Sequence, residues 1–315
     1  TLCVHKLIER QAHCRGTDPA ICAWDGELSY KTLDIYSSRL AAHLQLRYGV
    51  RAESLVPICF DKSLWAVVSM VAVLKAGGAC VPINPRDPLE RLRTILSKLG
   101  EGCSLCVLAS PSEADRLNEL GVRVLAVDKK KVEQLGQVTS ACDTVTADNA
   151  AFVVFTSGST GAPKGIVIEH KAFCSGALAW GPFIQRSERS RVFQFASYTF
   201  DVSIGDVFTT LIFGGCVCIP SEHDRMNNLR ETIESLKANE LSLTPTVARL
   251  LRPQELPDVK VLVVAGEPLT KEVIDIWADH VNLINMYGPA ECTVYCTGKA
   301  GFRRADNPRC IGRGI

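Results

Sequence analysis

The feature that most limits what this chain can fold into is a near-regular alternation of short strand-like runs with helical patterns. SLWAVVSMVAVLKAGG (63–78) is apolar on every side, which predicts a helix buried on all faces. Gly77 and Gly78 follow it, and either can end a helix in the left-handed conformation. ACVPIN (79–84) then predicts a strand. Asp87-Pro88 offers an N-cap and a first-turn proline to a helix carried by Leu89, Leu92, Leu96 and Leu99. Upstream, KTLDIYSSRLAAHLQ (31–45) places Leu33, Tyr36, Leu40, Ala41 and Leu44 on one helical face. Further strands are predicted at 103–109, 122–127 and 151–156, then near 191–196, 215–219, 260–265 and 281–286. Helices are predicted near 170–178, 201–213, 226–238 and 270–278. The pattern implies an α/β fold of layered, largely parallel β-sheets flanked by helices.

Charge and hydropathy remove several functions. The net charge is +1, so the charge balance implies no nucleic-acid partner. The sequence holds no run of 18 apolar residues, so no membrane span is expected. The first residues, TLCVHKLIERQAHC, carry charge through their apolar stretch and do not read as a signal peptide. Fourteen cysteines are many. Most, such as Cys59, Cys80, Cys174, Cys216 and Cys218, sit singly in apolar runs and read as small buried hydrophobes of a reducing, cytoplasmic compartment. Cys103 and Cys106 form a C-x-x-C without a partner pair, inside a strand-like run, and no metal site is expected there.

Three polar segments follow predicted strands: TSGSTGAPKG (156–165), AGEP (265–268) and NMYGPAE (285–291). In parallel α/β folds ligands sit where strands end. The first segment has the composition of a phosphate loop: glycines admit backbone N–H groups to an anion, Ser157, Ser159 and Thr160 add hydroxyls, and Lys164 adds a point charge. It does not fit the Walker pattern, because Lys164 follows Pro163 and Gly165 stands where Ser or Thr is needed. GIVIEH after it predicts a strand, so the loop is expected between two strands, as a flap. A ligand-free Gly/Ser hairpin remains the plain alternative. The three reversals are expected at the rim of one sheet.

Taken together these segments resemble the adenylation domains of the adenylate-forming superfamily, and more narrowly the amino-acid-activating domains of nonribosomal peptide synthetases, fungal ones in texture. The resemblance covers nearly the whole chain. LSYKTLD (28–34), LKAGGACVPIN (74–84), TSGSTGAPKG, YTFDVS (198–203) and NMYGPAE resemble five core motifs in order. The implied reaction joins an amino acid to Mg-ATP, giving aminoacyl-AMP and pyrophosphate. The acyl group then passes to the phosphopantetheine thiol of a peptidyl carrier domain, with a condensation domain expected in the same synthetase. Thr156, Ser157, Gly158, Ser159, Thr160, Gly161 and Lys164 fall on the phosphate loop. Glu291 falls on the Mg²⁺ ligand, and Thr156, Lys164 and Glu291 on the catalytic positions. Asn285, Tyr287, Gly288, Gly266 and Glu267 fall on the adenine pocket.

Asp201 falls where amino-acid-activating members pair the substrate's α-ammonium; a helix N-cap is its alternative role. Val202, Gly205, Ser242, Val263, Ala265, Met286, Val294 and Tyr295 complete the implied substrate pocket. No other acid or base lies among them, so the resemblance implies a neutral substrate side chain. Ala290 stands where the family more often has Thr, removing one hydroxyl near the AMP phosphate. The chain is expected to be the N-terminal core lobe of such a domain (1–315), without the ribose-binding aspartate and the mobile lid, and hence weak in turnover. An acyl- or aryl-CoA ligase of the same superfamily and a non-catalytic nucleotide-binding fragment are the competing readings.

Overall fold

The structure, a computed structural model, describes residues 2–99, 106–136, 145–157 and 163–315. The chain forms two compact units: Thr1–Asp18 with Leu28–Cys174, and Pro19–Glu27 with Ser175–Ile315.

In the first unit the apolar run becomes the helix Leu64–Ala76, buried along nearly its whole length. The Ser63 side chain accepts the Ala66 N–H at 3.2 Å to begin it, and Gly77, at φ 96°, ends it. Gly78 is not left-handed, so one glycine suffices. The helix Tyr30–Tyr48 packs against it, burying Leu33, Leu40, Ala41 and Leu44 as predicted. Tyr36 is only half-buried and stacks on Trp65 at 5.8 Å. Lys75 is buried because its ammonium finds three acceptors: Asp34 Oδ1 at 2.5 Å, Asp34 O at 3.1 Å and Ser38 Oγ at 2.9 Å. The helix Leu89–Lys98 begins with Pro88 at the cap position and no side-chain cap. Asp87 therefore does not cap it; its carboxylate accepts from Arg91 Nε at 3.0 Å instead.

Among the described residues this unit holds a six-stranded sheet in the order Arg123–Ala126, Cys106–Ala109, Leu55–Cys59, Ala79–Ile83, Ala150–Ser157, Pro163–Glu169. All neighbours are parallel except the last pair. Cys59 and Cys80 are buried in it, as is Cys106; Cys103 lies outside the described residues.

The described strands of the other sheet number nine, in the order Arg313–Gly314, Thr297–Lys299, Asn282–Tyr287, Val261–Val264, Glu240–Leu243, Arg191–Phe193, Cys216–Ile219, Pro19–Ala23, Gly26–Ser29. From Asn282–Tyr287 to Pro19–Ala23 the pairing is parallel. Trp277, Phe193, Leu262 and Leu283 anchor its core. The expected helix at 226–238 is two helices, Glu222–Asn227 and Leu229–Ser235, broken at Asn228 with ψ 42°. Because Ala150–Ser157 belongs to one sheet and Val261–Val264 and Asn282–Tyr287 to the other, the three reversals do not share one rim. No described helix is long and apolar enough to cross a membrane.

Candidate active site

The segment after Ala150–Ser157 returns as the antiparallel strand Pro163–Glu169, not as a helix, which agrees with the strand–loop–strand expectation. Thr156 pairs with Lys164 and Ser157 with Pro163 in register, so the base of the hairpin is fixed. Lys98 reaches across to donate to Pro163 O at 2.6 Å and holds the returning strand. Thr156 is half-buried and Lys164 exposed. Gly158, Ser159, Thr160 and Gly161 lie outside the described residues, as does the Ser157 side chain.

In the second unit, Asp201 opens the helix Asp201–Ile212. The cap residue is Phe200, with no side-chain cap, so Asp201 sits one position inside. Its Oδ1 accepts the Val202 N–H at 2.8 Å. Its Oδ2 is fully buried and has no hydrogen-bond partner. Burial raises the carboxyl from 3.8 to about 6; its bonds to the Val202 and Asp201 amides oppose the rise, and the nearby Glu291 charge adds a smaller push. A carboxylate held this way is half satisfied: the helix start takes one oxygen and the other awaits a donor.

Gly205 lies one turn on, over the same helix face as Asp201. A methyl group added there would stand 3.0 Å from Val294 Cγ1, so Val294 already fills the space beside this glycine. Tyr295 is buried and meets Trp180 edge-on at 5.7 Å. Burial pushes its phenol above the usual range, the Asp206 and Asp201 charges push it further, and the Ser242 hydroxyl beside it pulls the other way. Ser242 makes no close hydrogen bond of its own. It is the register neighbour of Val263 on the adjacent strand. The structure thus brings together Asp201, Gly205, Ser242, Val294 and Tyr295, with Val263 beside Ser242. Val202 is half-buried, Ala265 and Met286 are buried, and Met286 is seated over Gly298.

Beneath Tyr295 lies a cluster that sequence reasoning missed. Arg186 donates to Glu240 Oε2 and lies 3.5 Å from Asp206 Oδ1, all three buried. Each reads as a surface charge in isolation, and Arg186 and Glu240 stand 54 positions apart. The hydrophobic residues flanking Asp206 and Glu240, in DVSIGDVFTTLI and ELSL, were the available signal.

AGEP and NMYGPAE follow neighbouring parallel strands and so leave the same edge of the sheet. Gly266, at φ 83°, needs glycine's freedom. Glu267 accepts the Thr246 N–H at 3.1 Å, tying its loop to the preceding crossover. Asn285 is buried and its amide donates to Cys310 O at 3.1 Å, so one of its donors is already used. Tyr287 is 52% exposed and presents an open aromatic face. Gly288 packs against the Val294–Tyr295 backbone so closely that a Cβ would lie 2.3 Å from Val294 O. Glu291 is exposed on the short 3₁₀ turn Ala290–Cys292 and close enough to Asp201 to affect its charge. Among the described residues it joins no ion pair or hydrogen bond. An exposed, uncommitted carboxylate suits Mg²⁺, which takes one or two carboxylates and fills its other positions with water and phosphate oxygens.

Comparison with known proteins adds the following. The family model described as AMP-binding enzyme matches residues 8–315. The chain is 47% identical over 313 residues to the nonribosomal peptide synthetase GRA1 of Gibberella zeae, covering 99% of this chain and 4% of that protein. It is 45% identical over 310 residues to the nonribosomal peptide synthetase TES of Alternaria alternata, covering 98% of this chain and 6% of that protein. The chain therefore spans only a small part of these relatives. Among solved structures, the peptide synthetase FmoA3 in an AMPPNP-bound form superposes with a TM-score of 0.87 at 22% identity, covering 99% of this chain and 34% of that one. The Klebsiella oxytoca NpsA N-terminal subdomain with 3-hydroxyanthranilyl-AMSN gives 0.84 at 22%, covering 97% and 77%. At that identity these two bear on the fold alone.

Proposed function

The chain belongs to the AMP-binding enzyme family, and from that premise we propose that it is the core-lobe segment (1–315) of an amino-acid-activating adenylation domain of a peptide synthetase. Its reaction is attack of an amino-acid carboxylate on the α-phosphorus of ATP. The new C–O–P link is aminoacyl-AMP, and pyrophosphate leaves. The parent synthetase then passes the acyl group to a phosphopantetheine thiol on a carrier domain beside a condensation domain.

The observation that carries this reading is Asp201 Oδ2, a buried carboxylate oxygen without a donor. A substrate α-ammonium would supply the missing hydrogen bond and the missing charge together. An acyl- or aryl-CoA ligase substrate has no ammonium to offer. Asp201 then fixes the amino end, while Gly205, Ser242, Val294 and Tyr295 enclose the side chain. The pocket lining offers one hydroxyl at Ser242 and one at Tyr295 among apolar groups, which favours a neutral side chain. Tyr287 presents a face for the adenine. Lys164 would bring positive charge, and Thr156 a hydroxyl, to the phosphates. Glu291 would hold Mg²⁺, which supplies charge neutralisation at the phosphates when bound. Catalysis of this kind is positioning and electrostatics rather than proton transfer.

The test is calorimetric titration of the chain with a panel of aminoacyl-sulfamoyl adenosines, stable mimics of the adenylate. Binding of a subset with neutral side chains, lost when the α-amine is removed from the mimic, is expected. Equal binding of the des-amino mimics would return the reading to the acyl ligases. No binding by any mimic would favour a non-catalytic fragment.

A further inference from the structure

Asp201, Gly205 and Thr209 follow one another at four-residue intervals along the helix Asp201–Ile212. They share one stripe, with a rise of about 6 Å between successive members. Asp201 holds the carboxylate oxygen that lacks a donor, and Gly205 has Val294 packed against it. Thr209 is buried and meets a side chain to which no role has been given above. The indole N–H of Trp180 donates to Thr209 Oγ1 at 3.0 Å.

The other end of that indole is fixed as well. A Cβ at Gly176, one turn before Trp180, would stand 2.1 Å from the six-membered ring, so the ring fills the space a side chain there would need. Trp180 is itself buried, and its ring meets Tyr295 edge-on, with centroids 5.7 Å apart and planes at 89°. The helix is tied to the sheet beside this contact. Arg186 joins Asp206, on the helix, to Glu240, which stands two residues before Ser242 on the strand Glu240–Leu243. Tyr295 therefore abuts an indole anchored at both ends.

We propose that Trp180 is a positioning residue that sets the length of amino-acid side chain the pocket accepts, acting through Tyr295. The proposal rests on the functional reading above and places Trp180 behind the pocket wall, not in it. A side chain whose amine is held at Asp201 runs along the stripe towards Thr209 and ends against Tyr295. In a close-packed interior Tyr295 recedes only as far as the indole behind it yields. The hydrogen bond to Thr209 and the seat at Gly176 keep the indole from yielding. Trp180 thus fixes the depth of the pocket without touching what fills it.

Two variants and two readouts test this. Thr209→Val keeps nearly the same side-chain shape and removes the acceptor, which leaves the indole intact but untethered. Trp180→Leu removes the aromatic edge. The first readout is calorimetry with aminoacyl-sulfamoyl adenosines of graded linear side chains. The ratio of long-chain to short-chain affinity is expected to rise about tenfold in Trp180→Leu and by less, in the same direction, in Thr209→Val. The requirement for the α-amine should persist in both. An unchanged ratio, or an equal loss for every mimic as a merely structural role would give, overturns the proposal. The second readout needs no ligand. With fluorotyrosine incorporated, the Tyr295 fluorine resonance, assigned by its loss in Tyr295→Phe, is expected to move in Thr209→Val. A resonance that stays in place overturns the positioning of Tyr295 by Trp180. Should Trp180→Leu not fold, Thr209→Val carries both readouts. If the parent binds no mimic, the functional reading and the length rule fail together, and the resonance still decides whether Trp180 positions Tyr295.

Discussion

Replacing Asp201 by Asn should make the chain more stable and, at the same time, blind to the substrate amine. The carboxyl is raised from 3.8 to about 6, chiefly by burial. A group whose folded value is raised favours the folded state when protonated and loses that contribution as pH rises through about 6. At pH 7 Asp201 is ionised, and the full difference corresponds to ~3 kcal/mol against folding. The residue is only partly buried, so solvent screening reduces this to about 1–2 kcal/mol. Asn keeps an oxygen for the Val202 N–H and removes the charge. Thermal melts of both proteins should therefore differ by about 2–6 °C at pH 7, the variant higher. The difference should shrink below pH 6 and vanish near pH 4. In parallel, an aminoacyl-sulfamoyl adenosine should raise the parent's midpoint and not the variant's, while the des-amino mimic treats them alike. A variant less stable at pH 7, a difference that ignores pH, or equal stabilisation of both proteins by the amine-bearing mimic would refute the reasoning.

The remaining predictions are brief. Arg186→Met leaves Asp206 and Glu240 as buried carboxylates without their cation, and should cost about 3–5 kcal/mol in urea unfolding. Gly205→Ala presses on Val294 at 3.0 Å; its unfolding free energy should change by no more than about 1 kcal/mol, while mimics with the larger tolerated side chains lose affinity in calorimetry. Glu291→Gln should leave the melting midpoint in place and abolish the Mg²⁺-dependent part of ATP binding, measured with and without the ion. His5 and His170 are buried and lowered to about 3 and about 4, mainly by burial, with His170, Lys6 and Lys75 adding to the first and Glu53 opposing the second. Their contribution to stability is full above about pH 6.5 and is lost as pH falls towards 4. Urea midpoints of a His5→Gln/His170→Asn protein should therefore fall less steeply over that interval than the parent's.

Periodicity carried most of the fold. The helix Leu64–Ala76 and the strand Ala79–Ile83 are legible because one is apolar all round and the other is a short run bounded by turn residues. Strands Leu55–Cys59 and Pro19–Ala23 were not: each is a five-residue run whose strand character is set by pairing on the sheet. Glu240–Leu243 was missed because it opens with a charged residue whose partner, Arg186, only the tertiary fold supplies. Asp87 looked like a cap, yet the cap position fell one residue later, within the usual looseness of helix ends. In the candidate site, motif order placed Asp201 on its helix, but which of its oxygens is engaged depends on a backbone amide one residue away. The placing of the reversals on one rim failed because strand order within a sheet is not written in local sequence.

Every proposed pocket position, from Asp201 to Tyr295, lies in one uninterrupted stretch of the second unit, whereas the phosphate hairpin is encoded upstream in the first. Genetic exchange confined to that stretch would replace the proposed amino-acid pocket together with the proposed adenine positions and Glu291, leaving the phosphate hairpin as inherited. Diversification by swapping a cassette, rather than by slow accumulation of point changes, is the mode of evolution this arrangement permits.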